Sequence, residues 1–119
     1  MFRFTRVALL SALILLVALP AFAGGAGLSY DEALAAAKEK GAVVVVDFFA
    51  DWCGPCKAFD ADLAAEGSVI AEALEAVVFT SIDAEKGDGI ELAKTYEVSG
   101  FPTYIMIDAQ GELIDRWSG

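Results

Sequence analysis

Residues 42–57 of the chain read AVVVVDFFADWCGPCK, an apolar run that is interrupted by Asp47 and leads into Cys53 and Cys56. A run that is apolar at successive positions predicts a strand buried on both faces, which is typical of the interior of a parallel sheet. Because proline is tolerated at the first position of a helix, we expect a helix to begin around Pro55. The stretch therefore predicts a strand, a turn that carries the cysteines, and a helix.

The segments on either side of this unit complete a small α/β pattern. Ser29 followed by Glu32 is a capping-box pattern that predicts the start of a helix, which we expect to run to about Lys40 and to stop at Gly41. The helix that begins at Pro55 is expected to continue to about residue 76, with a bend near residues 67–68. We also expect a short helix over 90–96 and three strands, over 77–83, 103–108 and 112–117.

The connections between the strands predict how they pair. Strand–helix–strand units imply right-handed crossovers and parallel pairing. The three-residue turn at 109–111 makes the last two strands antiparallel neighbours. We therefore expect an α/β domain built on a mixed four-stranded sheet with helices on both faces.

The composition excludes several classes of function. The chain has 119 residues, 18 of them acidic and 8 basic, with two cysteines and no histidine. The length allows one domain, and the acidic excess argues against a nucleic-acid partner, because phosphate binding needs clustered Lys and Arg. Two cysteines without histidine cannot supply the four ligands of a structural zinc site from one chain. We expect no stable metal and no cofactor other than a redox-active disulfide.

The first residues have the pattern of an export signal. Arg3 and Arg6 precede an apolar run over 7–19, and small residues follow up to Ala23. The run is shorter than the ~20 residues that span a membrane, so this order predicts a secretory signal peptide over 1–23 that is cleaved near Ala23. We expect a periplasmic or secreted protein. The alternative is an uncleaved N-terminal segment that anchors the protein.

The two cysteines carry the predicted chemistry. On the first turn of a helix, Cys53 and Cys56 can bring their sulfur atoms within bonding distance, and the closed loop is too short for the bond to add much stability. This favours a bond that opens and closes. Cys53 would lie beside the free N–H groups of the helix start, which stabilise the thiolate that attacks disulfides. Cys56, one turn further, would be shielded and would act as the resolving thiol.

Two motifs identify a family resemblance. Residues 47–57 closely resemble the active-site stretch of thioredoxins, and residues 100–103, which read GFPT, resemble the loop that carries the cis-proline of that family. The resemblance covers roughly residues 42–119. Together with the export signal, residues 50–53 make the chain similar to exported thioredoxin-like proteins, such as the periplasmic C-terminal domain of the thiol:disulfide interchange reductase.

The resemblance implies a role for each catalytic residue. Cys53 would be the nucleophile, and Cys56 would resolve the mixed disulfide. Asp47 would relay the proton to or from Cys56, and Pro102 would pack against the disulfide as a cis-proline. For Asp47 the alternative is a carboxylate at the strand end that meets water, and for Pro102 it is a trans proline that begins an edge strand.

The resemblance also implies how a substrate binds. Because Pro102 lacks an N–H group, the preceding residue would offer its backbone to an extended substrate by strand addition. Trp52 would cover one side of the sulfur atoms; the other interpretation is a half-exposed core aromatic, and both can hold at once. The expected substrate-binding residues are Trp52, Gly54, Pro55, Phe101 and Thr103. Lys57 either supports the thiolate or is a solvated helix residue.

At one position the chain departs from the family pattern. Many thioredoxins have a lysine on the neighbouring strand close to the buried aspartate, and by alignment Phe79 occupies that position here. We expect Asp47 to lie in a more apolar site, where burial raises the pKa of a carboxyl group towards neutrality and makes it useful as a general base.

The residues between the cysteines indicate the direction of electron flow. Gly54 and Pro55 resemble the pair found in reducing thioredoxins, and without histidine Cys53 lacks the cation that would make the bond strongly oxidising. We expect a reductase of disulfide-bonded exported proteins that is itself re-reduced by a membrane-embedded electron donor. The alternatives are a redox-inactive binding or chaperone module with the same fold, and a metal site formed by the two cysteines.

The expected division of the chain is a signal peptide over 1–23, a flexible leader over 24–28 and a thioredoxin-like domain over 29–119. Domains of the family normally end with a helix that packs on the sheet, and this sequence stops at Gly119, where such a helix would begin. We expect the C-terminal helix to be missing, through truncation or because a partner supplies the cover, and part of one sheet face to be bare.

Overall fold

A computed structural model describes residues 27–119, so the predicted signal peptide over 1–23 lies outside the described residues. The first helix, α1, spans Tyr30–Lys40. The Ser29 side chain accepts a hydrogen bond of 3.1 Å from the Glu32 amide, as the capping-box pattern predicts. Gly41 ends the helix in a left-handed conformation with φ +63°, which glycine adopts without steric cost.

The packed domain begins one residue earlier than predicted. Leu28, assigned above to the flexible leader, is half-buried and packs against the apolar core. Its carbonyl oxygen accepts a hydrogen bond from the Thr80 hydroxyl. Leu28 is therefore part of the domain rather than of a flexible leader.

The four strands form one mixed sheet in the order β2-β1-β3-β4. Their bounds are Val44–Phe49 for β1, Val78–Asp83 for β2, Thr103–Ile107 for β3 and Leu113–Ser118 for β4. β1 and β2 pair in parallel, while β3 runs antiparallel to both β1 and β4. The prediction of a parallel strand after the short helix was wrong for β3. The connection brings the chain back beside the end of β1, where Phe48 pairs with Thr103, so β3 must run in the opposite direction.

The predicted long helix after the cysteines is two helices. α2 spans Gly54–Ala64 and α3 spans Val69–Leu74. Gly67 has φ +71°, outside the right-handed helical region, and Ser68 opens α3 by accepting a hydrogen bond of 3.1 Å from the Ala71 amide. The bend expected near residues 67–68 is therefore a break.

The last helix, α4, spans Gly89–Thr95 and begins against the end of β2. A Cβ atom at Gly89 would lie 1.8 Å from the Asp83 carbonyl oxygen, so the close approach of α4 to the strand requires glycine there. Within residues 27–119, neither α4 nor any other helix has the length and apolar character needed to cross a membrane.

Helices cover both faces of the sheet, as predicted. One apolar core joins α1 and α4 to the face of β1 that presents Val44, Val46 and Phe48. The other face presents Asp47, and α2 lies over it through Phe59, whose ring centroid is 5.1 Å from that of Tyr104. β4 is the last element of the described chain, and its six residues are all exposed.

Candidate active site

The two cysteines lie where β1 leads into α2. Cys53 is the N-cap residue of α2 and forms a disulfide bond with Cys56, with a Cα–Cα distance of 5.3 Å. The Cys53 sulfur also accepts a hydrogen bond of 3.2 Å from the Cys56 amide. This donor and the helix dipole favour a thiolate at Cys53 when the bond is reduced.

Burial does not distinguish the two sulfur atoms. In the disulfide, Cys53 is 1% exposed and Cys56 is 2% exposed. The asymmetry between them comes from position, because the Cys53 sulfur caps the helix while Cys56 lies one turn inside it. The residues between them, Gly54 and Pro55, are exposed, and so is Lys57.

Two aromatic rings lie over the disulfide. Phe101 packs against the small cluster formed by Cys53 and Cys56 with Ala50. Trp52 meets the Phe101 ring edge to face, with ring centroids 5.8 Å apart, and is 69% exposed. Trp52 is therefore a surface residue at the site rather than a half-exposed core aromatic.

Sequence reasoning missed the residue that holds Trp52. The indole Nε1 donates a hydrogen bond of 2.6 Å to Oε1 of Glu85, which follows β2. The neighbouring Lys86 forms an ion pair with Asp51 across the same loops. The sequence contains one signal for this contact, a polar segment that directly follows β2. Because β2 pairs in parallel with β1, the carboxyl ends of the two strands meet at one edge of the sheet, where Glu85 can reach Trp52.

The loop before β3 carries Phe101 to the cysteines. The peptide bond between Phe101 and Pro102 is cis, and Pro102 is buried. The Thr103 hydroxyl donates a hydrogen bond of 2.7 Å to the Gly100 carbonyl oxygen, which closes the loop. Across residues 27–119, no turn or loop hydrogen bond uses the amide or carbonyl group of Phe101, so this backbone is available to a ligand.

Asp47 is a buried carboxyl group in the middle of β1. It is 1% exposed, and its Oδ2 atom accepts a hydrogen bond of 3.2 Å from the Ser81 hydroxyl. Its Oδ1 atom is buried and has no hydrogen-bond partner in the described part of the chain. Burial is the largest cause that raises the pKa of Asp47 from 3.8 to about 6; the hydrogen bond from Ser81 opposes the rise, and the nearby charge of Asp60 adds to it.

The strand register explains the surroundings of Asp47. Its partner on β2 is Ser81, and Phe79 pairs with Val45 instead. The Phe79 ring packs against Phe59 of α2, with centroids 6.2 Å apart. No cation therefore comes from the Phe79 position, and the raised pKa agrees with the more apolar site that was predicted.

A cavity of about 420 Å³ lies between α2 and the sheet and reaches Ser81, the hydrogen-bond partner of Asp47. Asp60 and Ser81 contribute its polar lining, and the remaining lining residues are Phe49, Leu63 and Ala64. Sequence reasoning did not single out Asp60, although its position four residues after Cys56 places both on one face of α2. A second cavity of about 580 Å³ lies between α1 and α4, and none of the site residues predicted from the sequence lines it.

Comparison with known proteins finds one family. A family model described as thioredoxin-like matches residues 26–109. The chain is 34% identical over 76 residues to protein disulfide isomerase-like 1-1 of Arabidopsis thaliana, and 38% identical over 84 residues to the thiol:disulfide interchange protein DsbD 2 of Pseudomonas aeruginosa. These alignments cover 64% and 69% of this chain, which spans only 15% and 14% of the two relatives.

A solved structure confirms the fold. The thioredoxin of Thermus thermophilus is 32% identical, with a TM-score of 0.64, and the match covers 76% of this chain and 72% of that one. The predicted α/β architecture, with a mixed four-stranded sheet and helices on both faces, is the architecture of these relatives.

Proposed function

The chain belongs to the thioredoxin-like family, and we propose that it is a thiol–disulfide oxidoreductase that reduces disulfide bonds of exported proteins. The observation that carries the proposal is the Cys53–Cys56 disulfide at the start of α2, with the cis Pro102 loop and Phe101 packed beside it. A helix start that stabilises a thiolate is the feature that exchange chemistry needs.

The proposed reaction transfers two electrons from the dithiol to the substrate. The Cys53 thiolate attacks a substrate disulfide, which forms a mixed disulfide and releases the first substrate sulfur as a thiolate. The Cys56 thiol gives its proton to Asp47, and the Cys56 thiolate then attacks the Cys53 sulfur. This step forms the Cys53–Cys56 bond and releases the second substrate sulfur, so that each released thiolate takes up one proton.

The surface around the disulfide supports an extended polypeptide as the substrate. The free amide and carbonyl groups of Phe101 offer a place for strand addition, and the exposed Trp52 ring borders it. Thr103 fixes the loop through its hydrogen bond to Gly100. The carboxylates of Asp51 and Glu85 near this surface disfavour acidic substrates.

The residues around Cys53 support the reducing direction of the proposed reaction. Gly54 and Pro55 carry no charge, and the sequence contains no histidine that could stabilise the thiolate as a cation. The dithiol is therefore a comparatively good electron donor. In an oxidising compartment, reached after cleavage near Ala23, the protein would depend on a membrane-embedded donor for its own reduction.

One observation favours a second candidate function. Both sulfur atoms are buried in the disulfide, while the Trp52 ring beside them is exposed. A binding module that holds exported clients without turnover would need the aromatic surface and not the sulfur atoms.

Trapping distinguishes these two functions. In the Cys56→Ser variant the mixed disulfide cannot be resolved, so exported proteins should remain covalently bound to Cys53 in the native compartment. The matched control is Cys53→Ser, which should trap none. With dithiothreitol as the reductant, the parent chain should reduce insulin and Cys53→Ser should not. Client binding that survives Cys53→Ser, with no trapped partner and no insulin reduction, would identify the binding module.

A further inference from the structure

The proton that Asp47 receives has to leave a buried site. Asp47 is 1% exposed, and its hydrogen-bonded oxygen faces Ser81 rather than solvent. When the disulfide is reduced again, Asp47 can return this proton to the Cys56 thiolate, whereas exchange of the proton with solvent between the two half-reactions needs a separate path out of the buried site. Such a path serves the proposed reaction and so rests on the proposed function.

Three side chains face Asp47 from the elements packed around it. Ser81 comes from β2 and Tyr104 from β3, since each is the direct partner of Asp47 in the sheet. Asp60 comes from α2, and its charge acts on both Asp47 and Tyr104. These are the groups that could take the proton onward.

Tyr104 does not offer an exit. Phe59 packs on one side of its ring and Trp117 stacks on it with a centroid distance of 5.8 Å. Burial, together with the charges of Asp47 and Asp60, raises the pKa of Tyr104 to about 12, so its hydroxyl stays protonated at neutral pH. Unlike Ser81, Tyr104 makes no hydrogen bond to Asp47 among the described residues, so no direct proton transfer joins these two groups.

Ser81 and Asp60 share the cavity between α2 and the sheet. The Ser81 hydroxyl already donates to Asp47, and a hydroxyl can accept a second proton while it gives up its own. At about 420 Å³ the cavity has room for water, and two polar side chains line it. Asp60 is exposed and also lines the cavity, so its carboxylate lies between the cavity and solvent.

We propose that Ser81 and Asp60 form the proton path between Asp47 and solvent. The proton leaves Asp47 for the Ser81 oxygen, the Ser81 hydroxyl proton passes to water in the cavity, and Asp60 accepts it and loses it to solvent. No electrons move in these steps, and Asp47 returns to the carboxylate. Asp60 is a positioning residue, because its negative charge also increases the proton affinity of Asp47 without touching the reacting sulfur atoms.

The chain contains a matched control for this proposal. Asp60→Asn removes one negative charge from α2 beside the cavity. Asp62→Asn removes the same charge from the same helix, but Asp62 does not line the cavity. Both residues are exposed, so both variants should unfold like the parent chain.

The first measurement does not depend on activity. The titration of the Asp47 carboxyl group, followed by NMR in the oxidised full chain, should move to lower pH in Asp60→Asn because a repelling charge is lost. It should stay in place in Asp62→Asn. In Ser81→Ala it should move to higher pH, because the carboxylate loses its hydrogen bond. An Asp47 titration that is the same in Asp60→Asn and in Asp62→Asn would overturn the proposal.

The second measurement follows the path itself. When the reduced chain is oxidised once at pH 7 by an aromatic disulfide whose thiols stay ionised, the proton that passes from Cys56 to Asp47 is the one that appears in solvent. Followed with a pH indicator, this proton release should be about tenfold slower in Ser81→Ala and a few-fold slower in Asp60→Asn. Added formate should restore the Asp60→Asn rate, since a small carboxylate can enter the cavity, and should not change Asp62→Asn. Release that is equally fast in all variants would exclude the path. Failure of insulin reduction by the parent chain would refute the proposed function alone, because the Asp47 titration is measured independently.

Discussion

The two faces of strand β1 belong to the same six residues but have different chemistry. Val44, Val46 and Phe48 are fully buried in the apolar core beneath α1 and α4. On the other face Asp47 carries a buried oxygen without a hydrogen-bond partner in the described structure, and an open cavity reaches Ser81, the partner of its other oxygen. One face is packed as a protein interior normally is, whereas the other contains groups that reduce stability unless the chemistry uses them.

The alternation of a strand makes this separation possible. Successive side chains point to opposite faces, so stability and reactivity can be assigned to neighbouring residues without mixing. Substitutions on the α1/α4 face should therefore lower the free energy of unfolding and leave the reaction of the folded chain unchanged, while those on the α2 face should change the reaction. Four substitutions test this division.

The largest effect is expected at Cys53. Cys53→Ser removes the nucleophile, and we expect the rate of insulin reduction to fall on the order of 1000-fold or more. Unfolding should be compared with Cys56→Ser, because both variants lose the same disulfide. Residual reduction by Cys53→Ser at the level of the parent chain would refute the assignment of the nucleophile.

The next largest effect is expected on the opposite face. Phe48→Ala empties a fully buried aromatic site, and we expect the free energy of unfolding to fall by about 3–5 kcal/mol. The rate of insulin reduction per folded molecule should stay within about twofold of the parent rate, because Phe48 points away from the α2 face. A large loss of activity in protein shown to be folded would break the comparison between the faces.

Asp47→Asn should stabilise the protein at neutral and alkaline pH. The folded pKa of about 6 lies above the ordinary value of 3.8, so folding favours the protonated carboxyl group. The contribution of Asp47 is therefore fully present below about pH 4 and is lost as the pH rises through 6. Denaturant titrations should show Asp47→Asn more stable by roughly 2–3 kcal/mol at pH 8 and nearly equal at pH 4.

The matched control for this variant is Asp62→Asn, whose carboxylate is exposed and whose stability should not follow this pH dependence. Asp47→Asn should also resolve a Cys53 mixed disulfide more slowly than the parent chain. A variant that is no more stable at pH 8 than at pH 4, relative to the parent, would show that ionised Asp47 is not destabilising in the fold.

The smallest effect is expected at the rim of the site. Glu85→Gln replaces a charged acceptor of the Trp52 indole by a neutral one, and we expect about 0.5–1 kcal/mol weaker peptide binding, or a two- to fivefold higher Kd. Calorimetry with an extended peptide measures this change. The control is Glu91→Gln on α4, which should leave the Kd unchanged because Glu91 pairs with Lys94.

Local patterns predicted most of the fold. Ser29 and Gly41 mark the two ends of α1 through hydrogen bonds to residues three or four positions away. The valine run of β1 is buried on both faces, as its composition indicates. The break between α2 and α3 was expected only as a bend, because the apolar pattern continues across Gly67; α2 already ends where Ala65 turns to an extended conformation. The direction of β3 depends on where its connection brings the chain, which no local pattern encodes.

Of the site, only the residues that lie in sequence motifs were predicted. Cys53, Cys56 and Pro102 lie in two short sequence motifs, and the structure brings their loops together. Ser81 reaches Asp47 from 34 residues away, and its role follows from strand register alone. Glu85 meets Trp52 across two loops in the same way. Such pairs depend on tertiary pairing, which single-sequence patterns do not contain.

The position of Trp52 also has a practical consequence. The chain has two tryptophans. Trp52 adjoins the disulfide, while Trp117 lies in β4 at the sheet edge and stacks on Tyr104 of β3. Disulfide bonds quench indole fluorescence at short range, so emission from Trp52 should rise when the bond is reduced, while that from Trp117 should not. A Trp117→Phe chain would thus carry its own optical signal of redox state, free of any added dye.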